Sequence, residues 1–243
     1  MPKLNVILRK EDLDPAFLHD KVAVVIDVLF ATSTIVSALH HGALAVQPMR
    51  NHQQASEAIR ELAEGSYLLA GENHLRHIPG FAGYSPLELA RQPIRGRRLV
   101  FCTTNGTVAL HQASCARHVY AAALLNGPAV VRQLLQHPDL SIMLVCSGSA
   151  GRVNLEDLFV AGYLIEHLEQ ASPGTWHSTD TCTIARALYQ QYADRPTACL
   201  LDSQLGRQMA TGSMLEEILY AAQIGLFDVV PHFSDQCLTA LNT

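Results

Sequence analysis

Polar side chains that could carry chemistry follow four predicted strands, at the points where apolar runs end. Asp27 closes the run 22–27, and the hydroxyls of Thr32, Ser33 and Thr34 open the helix predicted after it. The free N–H groups and the dipole at a helix N-terminus favour an anion. Asp27 is therefore a candidate functional carboxylate, although simple capping of the loop and the helix would explain the same residues.

The second candidate segment is the long, glycine-rich stretch 71–86, which holds Glu72 directly after a strand. Loops of this length are commonly functional. Glu72 could bind a hard cation. Glu72, His74 and His77 could instead form a mixed nitrogen and oxygen site for zinc or another transition metal. A polar surface loop is the plainer explanation of the two histidines.

The third segment combines hydroxyls, an amide and a glycine at a strand-to-helix turn. Its residues are Thr103, Thr104, Asn105, Gly106 and Thr107. Backbone N–H groups in such a turn can form a cradle for an anion. An ordinary Asx turn with helix capping fits the same residues.

The fourth segment, 147–157, begins with small residues that permit close backbone approach. These residues are Ser147, Gly148 and Ser149. Arg152 can pair bidentately with a phosphate or a sulfonate. Glu156 and Asp157 lie in the first turn of the next predicted helix, where dipole complementarity alone could account for them.

In an open parallel sheet, ligands bind beyond the carboxyl ends of the strands, so one edge of the sheet would gather all four segments. Carboxylates beside anion cradles suit a divalent cation that bridges the protein to a phosphorylated substrate. Phosphoryl transfer to water needs charge neutralisation, a positioned nucleophile and little else. The chain contains no Walker A loop, nucleophile elbow or HExxH motif.

Short apolar runs alternate with helical patterns along the chain. The predicted strands are 5–8, 22–27, 43–47, 67–70, 99–102, 119–122, 142–146 and 228–230. The predicted helices are 33–41, 52–63, 86–91, 106–112, 128–136, 154–170, 179–192, 197–209 and 213–224. Continuous apolar strands are typical of a parallel sheet that is covered on both faces. We therefore expect an α/β layered sandwich with a largely parallel sheet and a helical C-terminal segment. It forms a single domain, 1–243, with a possible helical subdomain at 172–225.

Composition narrows the class of protein. The 243 residues carry a net charge of −5, which argues against nucleic-acid binding because no basic field is available to neutralise phosphates. We expect no membrane span and no secretory signal, because no apolar run is long enough. The 6 cysteines form no CxxC pair, which indicates reduced thiols in the cytoplasm. We expect a homo-oligomer.

Taken in order, these segments resemble the 2-phosphosulfolactate phosphatase family. The matching stretches are 25–34, 71–72, 80–86, Thr103-Thr104-Asn105-Gly106-Thr107, 124–126, Asn154-Leu155-Glu156-Asp157, 161–162, 206–207 and 225–230. The resemblance is collinear over nearly the whole chain. It implies an α/β fold and a magnesium-dependent acid phosphatase, a hydrolase whose founding reaction converts 2-phosphosulfolactate to 3-sulfolactate on the route to coenzyme M.

The leading hypothesis is therefore a Mg²⁺-dependent phosphatase that acts on a small phosphorylated hydroxy acid. Asp27 and Glu72 would hold the metal, together with Glu156 or Asp157. The anionic substrate would be cradled by Thr32, Ser33, Thr34, Thr103, Thr104, Asn105, Gly106, Thr107, Ser147, Gly148, Ser149 and Arg152. An activated water is the default nucleophile, and a hydroxyl from Ser33 or Thr104 is the alternative.

The chain departs from the family pattern at several positions in these segments. They are Phe30 and Asn73, where arginine is usual, Ala82, where an acid is usual, and Tyr84, where asparagine is usual. Arg76 and Arg152 could compensate for the lost positive charge. Two further hypotheses follow: a catalytically silent relative that binds a small anion, and a zinc-dependent hydrolase that uses His74 and His77.

Overall fold

The computed structural model describes residues 1–210 and 214–241, and within them eleven strands form one sheet. The strands are β1 (Lys3–Ile7), β2 (Val22–Ile26), β3 (Ala45–Met49), β4 (Tyr67–Asn73), β5 (Arg76–His77), β6 (Arg98–Cys102), β7 (His118–Ala122), β8 (Ile142–Cys146), β9 (His177–Ser178), β10 (Pro231–Ser234) and β11 (Cys237–Ala240). Their order in the sheet is β5-β4-β6-β3-β11-β10-β7-β2-β8-β1-β9.

Helices cover both faces of this sheet. They are α1 (Ala31–His40), α2 (His52–Ala58), α3 (Pro86–Ala90), α4 (Gly106–Ala113), α5 (Gly127–Leu134), α6 (Leu155–Ala171), α7 (Asp180–Tyr192), α8 (Pro196–Asp202), α9 (Gln204–Met209) and α10 (Leu215–Ala221). The architecture is the expected α/β one. None of the helices in the described part of the chain has the length and apolar character needed to cross a bilayer.

The sheet contains two parallel groups of strands. One group is β4, β6 and β3, and the other is β7, β2, β8, β1 and β9. The antiparallel hairpin β10–β11 joins them, pairing with β7 on one side and β3 on the other. Three antiparallel pairings, β3–β11, β11–β10 and β10–β7, connect the two groups. The strands of one group therefore run antiparallel to the strands of the other. The strands do not share one direction across the sheet, yet the loops after strands of both groups meet, as the site below shows.

The two groups are brought together by helices α1 and α4, which share one hydrophobic core with strands from both. Ile35 of α1 and Leu110 of α4 are buried in this core with Val25 of β2 and Phe101 of β6. The sheet therefore wraps around the two helices. Close packing at the start of the helices follows from Gly106, where an added Cβ would lie 2.4 Å from the Cβ of Ala31.

A second core lies on the other face of the larger parallel group. Leu4, Val24 and Leu144 pack there against Phe159 and Leu164 of α6. Helix α7 lies directly on α6, because Gly162 leaves room for the backbone of α7: an added Cβ would lie 2.0 Å from the Ala185 carbonyl oxygen. The C-terminal helices thus form an outer layer on this core.

Most elements follow the sequence pattern closely, with differences near the C-terminus. The strand predicted at 228–230 lies at Pro231–Ser234, and β11 was not predicted. The helix predicted at 197–209 is two helices, because Ser203 breaks it and accepts a hydrogen bond from the Gly206 N–H of α9 at 2.8 Å. The predicted helix start at Ser213 lies outside the described residues.

Candidate functional site

A cleft of about 430 Å³ lies where the loops after β1, β4, β6 and β8 meet helix α9. Most of the residues that line it are polar or charged, and they come from all five elements. The polar lining includes Lys10, Glu11, Glu72, His74, Thr104, Asn105, Ser149, Arg152, Asn154, Gln204 and Gln208. Clefts with a few convergent polar groups are the usual place for a small-molecule site.

A small recess of about 20 Å³ lies beside this cleft and shares Glu72, Asn105 and Ser149 with it. Asp27 lines the recess together with Glu72. A cavity of this size holds about one water-sized ligand. The two carboxylates that are far apart in sequence therefore do face one common space.

The Glu72 carboxylate is held in place by the loop after β6 and by its own hairpin. Its Oε1 accepts a hydrogen bond from the Thr104 N–H at 2.6 Å, and its Oε2 accepts one from the Leu75 N–H at 2.6 Å. The Thr104 hydroxyl also donates to Oε2, at 3.0 Å. The positive φ angles of His74 (52°) and Leu75 (62°) close the turn that brings the Leu75 N–H to this carboxylate.

Asp27 stands directly after β2, and only 6% of the residue is exposed. Its Oδ1 accepts a weak hydrogen bond from the Ala31 N–H of α1 at 3.4 Å. Burial, with a further contribution from the nearby Glu72 charge, raises the pKa of Asp27 to about 6, although hydrogen bonds from Ser147 and Ala31 and the charge of Lys10 oppose the shift. A carboxylate in such surroundings gains from a neutralising cation.

Asp157 connects loops and does not line the cleft. Its Oδ1 accepts from the Val28 N–H at 2.9 Å, and its Oδ2 accepts from the Ser147 hydroxyl (3.2 Å), the Gly148 N–H (3.3 Å) and the Asn154 amide (3.4 Å). Burial raises its pKa well above the usual value. Asp157 thus ties the loops after β2 and β8 to the start of α6.

Glu156 is also buried behind the cleft, and burial raises its pKa to about 7. Its Oε1 has no hydrogen-bond partner. No group of three or more His, Cys, Asp or Glu side chains in the described ranges could hold a metal ion by itself. The predicted metal set of Asp27, Glu72, Glu156 and Asp157 therefore does not form one cluster.

The zinc hypothesis requires His74 and His77 to face the same space, and the structure places them in different cavities. His74 lines the cleft, but His77 faces a separate cavity of about 400 Å³, where its Nε2 lies 2.8 Å from the Phe81 carbonyl oxygen. Arg76 lines that second cavity as well. Strand β5 turns these two side chains away from the cleft, so the structure does not bring Arg76 to the predicted substrate.

The hydroxyls at the start of α1 are fully buried and bind backbone carbonyls. Thr32 donates to the Asp27 carbonyl at 2.8 Å, Ser33 to Val28 at 2.8 Å and Thr34 to Tyr84 at 2.7 Å. Their predicted roles as anion ligands, and that of Ser33 as a nucleophile, have no support in this geometry. These hydroxyls instead fix the loop that carries Asp27.

Some residues of the segment 103–107 line the cleft or the recess, and others support the loop from behind. Thr104 and Asn105 face the cleft, and Thr103 lines the recess. Thr107 is fully buried, and its hydroxyl donates to the Thr103 carbonyl at 2.9 Å. Gly106 lies against Asp27, because an added Cβ would be 2.6 Å from its Oδ2.

In the segment 147–157, Ser149 and Arg152 face the cleft, whereas Ser147 and Gly148 lie behind it. Gly148 has a φ of 62°, and an added Cβ would lie 2.6 Å from the Arg152 carbonyl oxygen. The Arg152 side chain is exposed and makes no ion pair with the residues that the structure describes. It is therefore available to an anionic ligand.

Sequence reasoning missed five lining residues. They are Lys10, Glu11, Gln204, Leu205 and Gln208. Lys10 and Glu11 follow β1 just as the other candidates follow their strands, but the charged run 9–12 looks like a solvated surface. The α9 residues carry no comparable signal, because only the tertiary packing of α9 places them here.

Comparison with known proteins identifies the family. The family model of 2-phosphosulpholactate phosphatase matches residues 7–236, nearly the whole chain. The chain belongs to the 2-phosphosulfolactate phosphatase family. All residues that line the cleft and the recess lie within the matched range.

Three relatives in this family are each more than a third identical to the chain over the aligned residues. A probable 2-phosphosulfolactate phosphatase of Deinococcus radiodurans is 39% identical over 90% of the chain and 90% of its own length. One of Symbiobacterium thermophilum is 37% identical over 90% of the chain and 93% of its own length. A third, of Parasynechococcus marenigrum, is 36% identical over 89% of the chain.

Proposed function

We propose that this chain is a Mg²⁺-dependent phosphatase that hydrolyses a small phosphorylated hydroxy acid, 2-phosphosulfolactate or a related phosphomonoester. The products are the alcohol and inorganic phosphate. Membership of the family supports the reaction class, as do the names of the relatives at 36 to 39% identity.

One observation carries the proposal: the recess with Asp27 and Glu72 adjoins a cleft that contains the exposed cation Arg152. Carboxylates at one end suit a metal, and a guanidinium at the other suits an anion. A phosphorylated acid is an anion, so it would complement both the guanidinium and a metal ion held by the carboxylates.

The residues at the recess fit Mg²⁺. This ion takes oxygen ligands and commonly uses one or two carboxylates, with water and substrate phosphate completing its coordination. Asp27 and Glu72 would hold it, so a complete protein cluster is not needed. When bound, the ion neutralises charge on the phosphoryl oxygens.

The hydrogen bonds around the recess favour water as the nucleophile. The Thr104 hydroxyl donates to Glu72 and accepts from the His74 N–H at 2.8 Å, so it is already engaged on both sides. Ser33 is fully buried. Arg152 would orient the substrate by its charge. Glu72, fixed by its hydrogen bonds, would keep the recess at a constant position relative to the cleft.

A second candidate function, anion binding without turnover, is favoured by Phe30. This side chain lines the recess beside Asp27, with its ring centroid 6.4 Å from that of Tyr84. An apolar ring contributes no charge to a phosphate. The second function predicts thermal stabilisation by phosphorylated acids with no release of phosphate.

The proposed function is tested by phosphate release from a panel of phosphorylated hydroxy acids with Mg²⁺. Asp27→Asn and Glu72→Gln should each lower kcat/KM by about 30- to 4,000-fold, the effect of losing a buried charged partner worth about 2–5 kcal/mol. Asp228→Asn, at the exposed ion pair with Arg132, is the matched control and should keep wild-type activity. Equal release by Asp27→Asn and the wild type would refute the site.

A further inference from the structure

Lys10 holds an unusual position in the cleft wall. It begins the short 3₁₀ turn Lys10–Asp12 after β1, and only 8% of the residue is exposed. Among the buried side chains of the described residues it is the one Lys or Arg, whereas the buried acids near it include Asp27 and Glu72. A buried ammonium is retained only where hydrogen bonds and charge compensate for its lost hydration.

The Lys10 ammonium reaches acceptors in three separate segments. Its Nζ donates to Glu11 Oε1 at 2.8 Å, to Asn105 Oδ1 at 2.9 Å and, more weakly, to the Ser147 carbonyl at 3.5 Å. An ammonium has three donors, and all three have acceptors here. Lys10 is therefore held by acceptors of the protein itself, chiefly Glu11 and Asn105, whereas Arg152 has no such ion pair among the described residues.

The bond to Asn105 decides how that amide is oriented. Because its Oδ1 faces Lys10, its Nδ2 donates to Ser149 Oγ at 3.3 Å. Ser149 also accepts from the Asn154 amide at 3.1 Å. Asn105 and Ser149 line both the cleft and the recess, so this chain of bonds sets the wall that the two spaces share.

We propose that Lys10 is a positioning residue for the reaction, acting through Asn105 and the loop after β8 and not as a ligand of the substrate. The inference rests on the proposed phosphatase function. It separates the two cations of the cleft: Lys10 fixes the geometry of the wall, and Arg152 contacts the substrate.

The test measures kcat and KM of phosphate release for Lys10→Met, Asn105→Ala, Arg152→Gln and the double variants. Lys10→Met should lower kcat by about 10- to 100-fold with KM changed less than about threefold, because a small misplacement near the reacting group has an effect of this size. The Lys10→Met and Asn105→Ala double variant should be no slower than its slower parent. Arg152→Gln should raise KM, and its effect should multiply with that of Lys10→Met.

Two results would overturn the inference: a higher KM at unchanged kcat for Lys10→Met, or multiplicative effects of Lys10→Met and Asn105→Ala. Should Lys10→Met fail to fold, Lys10→Arg keeps the charge, and its kcat loss should likewise be absorbed in the Asn105→Ala background. A wild type that releases no phosphate from any substrate would overturn the proposed function. Wild-type turnover with multiplicative variants would overturn only the role of Lys10.

Discussion

Gly106→Ala tests whether the contact between α1 and α4 holds Asp27 in place. An added Cβ would lie 2.4 Å from the Cβ of Ala31 and 2.6 Å from Oδ2 of Asp27. Carbon atoms in favourable contact are about 3.5–4.0 Å apart. Since both neighbours are buried and tightly packed, the start of α4 or the loop with Asp27 must move by roughly 1 Å.

The expected magnitudes follow from that movement. Overpacking of a buried contact costs about 1–3 kcal/mol, and the better helix propensity of alanine offsets up to about 1 kcal/mol. The free energy of unfolding should therefore fall by up to about 3 kcal/mol. A shift of about 1 Å at a reacting group lowers kcat/KM by about 100-fold.

Urea denaturation gives the first quantity, and phosphate release with Mg²⁺ gives the second. Gly96→Ala is the control: Gly96 has a φ of 73° and no atom within 4 Å of an added Cβ. It should lose stability through backbone strain alone and keep wild-type kcat/KM. Wild-type activity and stability in Gly106→Ala would refute the idea that this contact positions Asp27.

Other predictions concern charge and pH. Asp157→Asn should lower the free energy of unfolding by about 1–3 kcal/mol in urea, because the new amide donor faces the N–H donors of the surrounding loops; an unchanged midpoint would contradict its role. Burial lowers the pKa values of His118, His137 and His232, whose rings form one cluster. Their neutral forms are therefore favoured in the folded state, so the melting temperature should fall as pH drops below about 6.5 and less so in His137→Gln; equal slopes in both proteins would argue against the cluster. Removal of divalent ions with a chelator should abolish phosphate release, and Mg²⁺ should restore it; turnover in excess chelator would contradict the metal assignment.

The general architecture was predictable because short, continuous apolar runs such as 22–26 and 142–146 are typical of strands covered on both faces. The reversal between the two parallel groups was not. It depends on β10 and β11, each 4 residues long, which pair with their outer neighbours through one residue pair each. No local pattern encodes such a contact.

The sequence predicted the two carboxylates of the site, but it did not predict most of the side chains around them. Asp27 directly follows β2 and Glu72 lies near the end of β4, positions that the apolar runs in the sequence reveal. Side-chain direction at a helix start is set by packing, so Thr32 and Ser33 turned out to be buried supports. Lys10 lies in a charged run that looks like exposed surface in the sequence, whereas in the structure it lines the cleft. A homo-oligomeric state stays a prediction.

The central claim is that one cation bound by Asp27 and Glu72 faces a phosphoryl group in the adjoining cleft. A crystal structure of the protein soaked with Mn²⁺ in place of Mg²⁺ and with inorganic phosphate tests it most directly, because anomalous scattering locates the metal. A metal peak is expected in the recess within bonding distance of both carboxylates, with phosphate beside it toward Arg152. A metal bound elsewhere, or phosphate bound outside the cleft, would contradict the claim.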